Sequence, residues 1–287
     1  MNVSGRSPRH AKLVRWGAAL LAVSGTAALA TVAAYAGGPD AGDAPNAKPT
    51  IVLVHGAFAD ASSWSGVVER LQKSDYKVVA PANTLRGIPQ DSTYLASLLK
   101  SIKGPIVLVG HSYGGEVISQ AAAGNDNVKA LVYVNAIMPD VGESFTSLSA
   151  KFSPPPLLSA LNQVPYRAGD GSSGTDVYVQ TDKFHQVFGA DLPKNRTDVL
   201  GASQRPIAQS AFTDKVTGAA WRDKPVYVLI GRQDLAINPD LQRFEAKRAK
   251  ARKTVEIDAS HVSLISQPQA VEHLIVDAAD DYEWQKK

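Results

Sequence analysis

Short aliphatic runs alternate with helical stretches along most of the chain, and this alternation limits the possible folds more than any other feature. Each run is almost entirely apolar and bounded by turn residues, as in strands that are buried on both faces of a parallel sheet. The predicted strands are Thr50–Val54, Lys77–Ala80, Ile106–Val109, Ala130–Val134, Val226–Ile230 and Thr254–Ile257, and the predicted helices cover 62–74, 91–102, 114–124, 239–250 and 268–279. This order predicts an α/β domain with a doubly wound, mostly parallel sheet.

The alternation stops between about residues 140 and 222, where no run has comparable strand character. This stretch contains Pro154–Pro156, a glycine-rich segment at 169–174 and scattered aromatic residues. It is too long for a plain loop in a compact domain. We therefore expect an inserted helical cap that lies over the C-terminal edge of the sheet.

The N-terminus has the pattern of a targeting segment. Residues 1–36 begin with a basic stretch, continue as an uncharged apolar run, and end in a small-x-small sequence, Ala34-Tyr35-Ala36. This pattern is typical of a secretory signal peptide and predicts a secreted or extracytoplasmic protein with no stable membrane association after cleavage. Because the apolar run is close to the ~20 residues that span a bilayer, an uncleaved anchor is the alternative. Residues 37–49 are expected to be a linker, and the domain is expected to occupy 50–287.

Charge and cysteine content exclude several classes of function. The formal net charge is +3, but the targeting segment supplies four basic residues and no acid, so the remaining chain is near neutral. Nothing therefore indicates a nucleic-acid partner, and the basic run at 247–253 is interpreted as a solvated helix end. The chain has no cysteine, which excludes disulfides, thiol catalysis and cysteine-based metal sites.

The strongest chemical signal is the sequence Gly110-His111-Ser112-Tyr113-Gly114, which is followed by Gly115. It comes directly after a predicted strand and directly before a predicted helix. This context is the one that a G-x-S-x-G nucleophile elbow requires, in which a sharp turn exposes the serine hydroxyl at a helix N-terminus. We therefore predict that Ser112 is a nucleophile.

A serine hydroxyl needs a base, and the base needs an orienting acid. In enzymes with this elbow the chain order is serine, acid, histidine. Three histidines follow Ser112 in the sequence. His261 lies in the loop directly after the last predicted strand, whereas His185 falls in the cap and His273 in the last helix. Asp234 follows the preceding strand and is the predicted acid, with Asp140 as the alternative.

The predicted oxyanion hole consists of two backbone N–H groups, which would stabilise charge on a carbonyl oxygen. One belongs to Tyr113, the residue after the nucleophile, and the other to Ala57 in the loop that begins with His55. His55 and His111 are expected to support the site without acting as bases. The predicted substrate pocket is apolar, and its candidate residues are Phe58, Met138, Leu235 and Val262, together with cap residues Phe152, Phe184 and Phe188.

With these residues placed, the chain resembles the α/β-hydrolase superfamily, and within it the small esterases that include plant methylesterases, hydroxynitrile lyases and bacterial pyrethroid-type carboxylesterases. The resemblance covers about residues 50–280 and rests on VHGAFADASSW (54–64), VGHSYGG (109–115), MPD (138–140), GRQDLAINPDLQRF (231–244) and SHVSLISQP (260–268). It implies an α/β-hydrolase fold that starts at the strand before the HG loop, the loop that begins with His55 and Gly56. It also implies a serine hydrolase that cleaves small-molecule esters through an acyl-enzyme, with neither a metal nor another cofactor.

Two departures narrow the resemblance. Hydroxynitrile lyases of this branch carry a threonine after the first histidine of the HG loop and a lysine after the catalytic histidine, where this chain has Gly56 and Val262. Cyanohydrin chemistry is therefore not expected. A cofactor-free haloperoxidase or perhydrolase, a lactonase or an amidase would use the same three residues, and a non-catalytic small-ligand binding protein is the alternative from another class. The motifs specify neither the natural substrate nor an oligomeric state.

Overall fold

A computed structural model describes residues 48–284, and the predicted signal peptide with most of the predicted linker lies outside these residues. The strands are β1 (Thr50–Val54), β2 (Val78–Val79), β3 (Ile106–His111), β4 (Val128–Val134), β5 (Leu161–Arg167), β6 (Ser173–Val179), β7 (Ile207–Ala208), β8 (Val226–Gly231) and β9 (Lys253–Ile257). All six predicted strands are present, each within two residues of its predicted bounds.

The five predicted helices are present with ends shifted by up to five residues, and four further helices bring the described set to nine. They are α1 (Ser65–Lys73), α2 (Ile88–Ser101), α3 (Gly114–Ala121), α4 (Phe145–Ser149), α5 (Thr181–Phe188), α6 (Lys194–Ser203), α7 (Pro239–Arg248), α8 (Ser263–Ser266) and α9 (Pro268–Trp284). A short 3-10 turn at Ala61–Trp64 precedes α1, and its N-cap is the Asp60 side chain, which accepts the N–H of Ser62. Within 48–284, none of these helices is both long and apolar enough to serve as a membrane span.

The central sheet has six strands in the order β2-β1-β3-β4-β8-β9, and every pairing is parallel. Strands β3 and β8 are buried at every position, which is why they read as unbroken apolar runs. Helix α3 packs on β3, and α9 packs on β4 and β8. Because the strands are parallel, the loops after β3, β4, β8 and β9 open at one edge of the sheet, where α/β proteins place their sites.

The segment between β4 and β8 contains strands as well as helices, which corrects the expectation of a helical cap. Strands β5, β6 and β7 form a three-stranded antiparallel sheet beside α4, α5 and α6. Most of β5 is exposed, with polar residues such as Asn162 and Gln163, so no apolar run marks it in the sequence. The segment is tied to the C-terminal edge of the main sheet, since the N–H of Ala208 donates to the carbonyl of Leu85 at 2.8 Å.

Candidate active site

Ser112 occupies the sharp turn between β3 and α3, with a left-handed φ of 55°. The turn brings backbone segments so close that its glycines cannot carry side chains. A Cβ at Gly114 would lie 2.5 Å from the carbonyl oxygen of Val54, and one at Gly115 would lie 2.4 Å from that of Ile137. A strained residue held between a strand and a helix is the geometry of a nucleophile elbow.

His261 and Asp234 form a fully buried pair at the same sheet edge. The imidazole Nδ1 lies 2.9 Å from Oδ2 and 3.1 Å from Oδ1 of the carboxylate. Because a carboxylate only accepts, Nδ1 carries the proton and Nε2 carries the lone pair. Nε2 is buried and makes no hydrogen bond to any residue in the described part of the chain. The imidazole is thus oriented as a base.

Asp234 is surrounded by donors besides the imidazole. Its Oδ1 accepts the backbone N–H groups of Ala236 and Ile237 at 2.8 and 2.9 Å, and its Oδ2 accepts the side-chain amides of Asn135 and Gln242, both at 3.0 Å. Burial alone would raise the pKa of Asp234, but the attraction of His261 and these hydrogen bonds outweigh it and hold the pKa below its ordinary value. The acid therefore stays ionised despite complete burial.

His111 links the nucleophile turn to the loop that carries the base. Its Nε2 donates to the backbone carbonyl of His261 at 2.9 Å, and the two rings lie 4.7 Å apart. Burial, reinforced by the neighbouring His261, lowers the pKa of His111 to about 3. A histidine held neutral in this way fixes the backbone of His261 relative to the nucleophile turn.

The HG loop is fixed by His55 and by the cap. The Nε2 atom of His55 accepts the backbone N–H of Asn83 at 3.0 Å, so Nδ1 carries the proton and donates to the carbonyl of Gly56 at 2.9 Å. A Cβ at Gly56 would lie only 2.5 Å from the Ser112 Cβ, so the loop touches the nucleophile. The N–H of Phe58 already donates to the carbonyl of Arg205 at 3.1 Å, which leaves the N–H of Ala57 as the candidate oxyanion donor.

A small apolar cavity of about 40 Å³ lies beside Ser112. The cavity is lined by both predicted oxyanion residues and by side chains of the core and cap, namely Ala57, Phe58, Tyr113, Glu116, Ile137, Phe145, Leu157, Phe188, Ile207, Ala211, Phe212, Ala236 and Ile237. Phe188 also packs on the ring of His261, with centroids 4.9 Å apart, so this cap residue borders both the cavity and the base.

The structure brings only some of the predicted pocket residues to this cavity. Phe58 lines it, but Met138, Leu235 and Val262 do not, and the cavity wall is formed instead by Ile137, Ala236 and Ile237. Met138 and Leu235 were thus displaced by one or two residues in loops whose conformation the sequence does not specify, whereas none of the described residues close to Val262 in sequence lines the cavity.

The cap aromatics also divide between the cavity and the core. Phe188 lines the cavity, and Phe184 packs behind it at 4.9 Å between ring centroids. Phe152 instead packs on Phe244, 5.8 Å away. The alternative acid, Asp140, pairs with Arg222 at 2.6 Å, so the structure places Asp234 and not Asp140 against the base.

Sequence reasoning missed three residues of the site. Asn135 and Gln242 both bind the Asp234 carboxylate, and Glu116 lines the cavity. The position of Asn135 directly after β4 was an available signal, since that strand ends at the same sheet edge. Within residues 48–284, no group of three or more His, Cys, Asp or Glu side chains could hold a metal ion.

A family model described as the alpha/beta hydrolase family matches residues 51–274, and the chain belongs to this family. Methylesterase 2 of Arabidopsis thaliana is 26% identical over 263 residues, which cover 82% of this chain and 97% of the relative. A pyrethroid hydrolase of Sphingobium wenxiniae is 27% identical over 256 residues, which cover 80% of this chain and 87% of the relative. The predicted resemblance to this esterase branch is confirmed.

Solved structures give the same fold. The crystal structure of polyneuridine aldehyde esterase matches with a TM-score of 0.70 at 20% identity, and the match covers 80% of this chain and 99% of that one. The predicted α/β-hydrolase fold, with its mostly parallel sheet, is therefore confirmed.

Proposed function

We propose that this hydrolase cleaves carboxylic esters with small apolar acyl groups through an acyl-enzyme on Ser112. The observation that carries the proposal is the buried pair of His261 and Asp234, whose Nδ1–Oδ2 distance of 2.9 Å leaves Nε2 as a lone-pair acceptor. The position of Ser112 also supports the proposal, because Ser112 lines the same cavity as the two candidate oxyanion residues, Ala57 and Tyr113.

Acylation begins when Ser112 Oγ attacks the ester carbonyl carbon while His261 Nε2 takes the hydroxyl proton. Negative charge then develops on the carbonyl oxygen, and the N–H groups of Ala57 and Tyr113 stabilise it. Asp234 holds the imidazole in the required tautomer and stabilises the imidazolium that forms. His261 next gives its proton to the leaving alcohol, and the tetrahedral intermediate collapses to the acyl-enzyme.

Deacylation repeats these steps with water as the nucleophile. His261 takes a proton from water, the hydroxide adds to the acyl carbon, and the proton returns to Ser112 Oγ as the carboxylic acid leaves. All proton transfers use one imidazole, so the proposed reaction needs no metal or organic cofactor.

The substrate class follows from the cavity and from the relatives. The cavity wall is almost entirely apolar, which suits the hydrocarbon part of an ester substrate. Two relatives are named as a methylesterase and a pyrethroid hydrolase. Both names support a small-molecule ester as the partner of this site.

The test compares a variant of Ser112, in the turn before α3, with a variant of Ser119, within α3. Ser112→Ala should abolish hydrolysis of p-nitrophenyl acetate and labelling by a fluorophosphonate probe, while the protein remains folded by circular dichroism. Ser119→Ala is the matched control. The buried Ser119 hydroxyl donates to the carbonyl of Gly115 at 2.7 Å and accepts the Tyr133 hydroxyl at 2.8 Å, so the variant loses both bonds but should keep both activities. Wild-type turnover in Ser112→Ala would refute the mechanism.

We also propose that the protein is exported and that residues 1–36 are removed. The support is the pattern of a basic stretch, an apolar run and a small-x-small end in the sequence. Intact-mass measurement of the protein from its native host should give a chain that begins at residue 37. A full-length chain in the membrane fraction would favour the anchor.

A further inference from the structure

Glu116 is a buried acid in the wall of the cavity that the proposed mechanism does not use. It lies on α3, four residues after Ser112, and only 1% of it is exposed. Ser112 lies in the turn that precedes this helix, and both residues line the cavity. Apart from Ser112 and Tyr113, every other residue that lines the cavity is apolar. A carboxyl group among such neighbours needs a hydrogen-bond partner or a functional reason.

The contacts of Glu116 leave half of its carboxyl group unused. The backbone N–H of Phe145 donates to the carboxyl, while Oε2 is buried and has no hydrogen-bond partner among residues 48–284. The ionisable side chains that act on Glu116 are themselves acids, Glu245 and Asp214. No described cation therefore neutralises it.

These surroundings determine its protonation. Burial raises the pKa of Glu116 well above its ordinary value. Burial thus favours the protonated carboxyl, in which one oxygen accepts from Phe145 and the O–H can donate. A ligand atom that accepts this O–H would complete its hydrogen bonding.

The cavity is the place for the acyl group of a substrate. The leaving alcohol must lie beside His261, which protonates it, and His261 is not among the residues that line the cavity. Because Ser112 and Glu116 line the same cavity, an acyl group bonded to Ser112 that fills it can place an atom of its chain beside the Glu116 carboxyl.

We propose that Glu116 is a specificity-determining residue that donates a hydrogen bond to an oxygen atom on the acyl chain of the substrate, such as a carbonyl or ether oxygen. The preferred substrates are thus esters of short oxo- or alkoxy-carboxylic acids. This inference rests on the proposed ester hydrolysis and names its substrate class.

The test uses a pair of esters that differ by one oxygen, p-nitrophenyl 4-oxopentanoate and p-nitrophenyl pentanoate. The wild-type ratio of their kcat/KM values should favour the oxo ester by about tenfold, the effect of one hydrogen bond in an apolar site. Glu116→Gln keeps a donor of similar shape and should retain the preference, whereas Glu116→Met should reduce the ratio to about one. A structural role of Glu116 would change both substrates alike and leave the ratio unchanged.

Three results would overturn the inference. Equal hydrolysis of both esters by wild type would refute it while the esterase proposal stands. An unchanged ratio in Glu116→Met would also refute it. A stronger preference for p-nitrophenyl 5-aminopentanoate, lost in Glu116→Gln, would show that an ionised Glu116 pairs with a cation instead.

A binding measurement separates this inference from the proposed chemistry. In Ser112→Ala, methyl 4-oxopentanoate should bind about tenfold more tightly than methyl pentanoate in an NMR titration. The difference should disappear in the double variant with Glu116→Met. If wild type fails to hydrolyse either ester, the esterase proposal falls, and equal binding of the two methyl esters would then refute the role of Glu116 separately.

Discussion

The substitution Asp234→Asn replaces one carboxylate oxygen by an NH2 group. This group donates hydrogen bonds, but every group that faces it is also a hydrogen-bond donor. Oδ1 faces two backbone N–H groups, and Oδ2 faces the amides of Asn135 and Gln242, all at 2.8 to 3.0 Å. In either orientation the new NH2 group therefore meets two N–H donors, and their hydrogen bonds are lost. The carboxylate that stabilises protonated His261 is lost as well.

The size of both effects follows from these contacts. Each buried donor left unsatisfied costs about 1–3 kcal/mol, so two reduce the free energy of unfolding by about 2–6 kcal/mol. For turnover we expect a decrease in kcat of about 10⁴-fold, because an asparagine at this position favours the wrong imidazole tautomer. This decrease corresponds to about 5 kcal/mol of transition-state stabilisation.

The assay combines steady-state hydrolysis of p-nitrophenyl acetate with urea unfolding. Asp140→Asn is the matched control, because Asp140 is the other candidate acid and its ion pair with Arg222 leaves 24% of its side chain exposed. We expect the control to retain activity within a few-fold of wild type. The reasoning is refuted if Asp234→Asn stays within tenfold of wild-type kcat while folded, or if Asp140→Asn is the inactive variant.

Three further predictions test other parts of the structure. Gly115→Ala should prevent folding or abolish activity because its Cβ would lie 2.4 Å from a backbone carbonyl oxygen, whereas Gly169→Ala, with nothing within 4 Å, should leave soluble yield and activity unchanged. Burial raises the pKa of Glu245 from 4.5 to about 8, so the folded carboxyl keeps a proton that the unfolded chain loses. The free energy of unfolding, measured in urea, should therefore fall in wild type relative to Glu245→Gln as the pH rises from 5 to 8. The fall should be at most about 1.4 kcal/mol per pH unit. A difference between the two proteins that does not change with pH would contradict the raised pKa of Glu245. Phe188→Ala should enlarge the cavity and raise kcat/KM for hexanoate relative to acetate esters, and an unchanged ratio would exclude Phe188 from the acyl site.

The sequence predicted the parts of the fold that depend on unbroken apolar runs and on local turns. Strands β3 and β8 are buried at every position, so their composition alone marks them. The elbow at Ser112 was also predictable, because its glycines are required by backbone contacts within a few residues of the turn or with the neighbouring strand. His261 and Asp234 followed from the parallel order of strands, which brings loops distant in sequence to one edge.

What escaped prediction depends on contacts between distant segments. Strand β5 is held by pairing with β6, from Leu161 opposite Val179 to Arg167 opposite Ser173, and not by burial of its own side chains. Gln242 reaches Asp234 only because α7 turns one face to the loop after β8. The pocket residues were displaced for the same reason: loop conformation decides which of two neighbouring side chains faces the cavity.

The position of Phe188 links access to the cavity with exposure of the His261 imidazole to solvent. Its ring lies 4.9 Å from that of His261 and 5.9 Å from that of Phe58, so one cap side chain covers the base and touches the HG loop. Any displacement of α5 that opened the cavity would therefore also uncover the imidazole, so access to the cavity and hydration of His261 would change together.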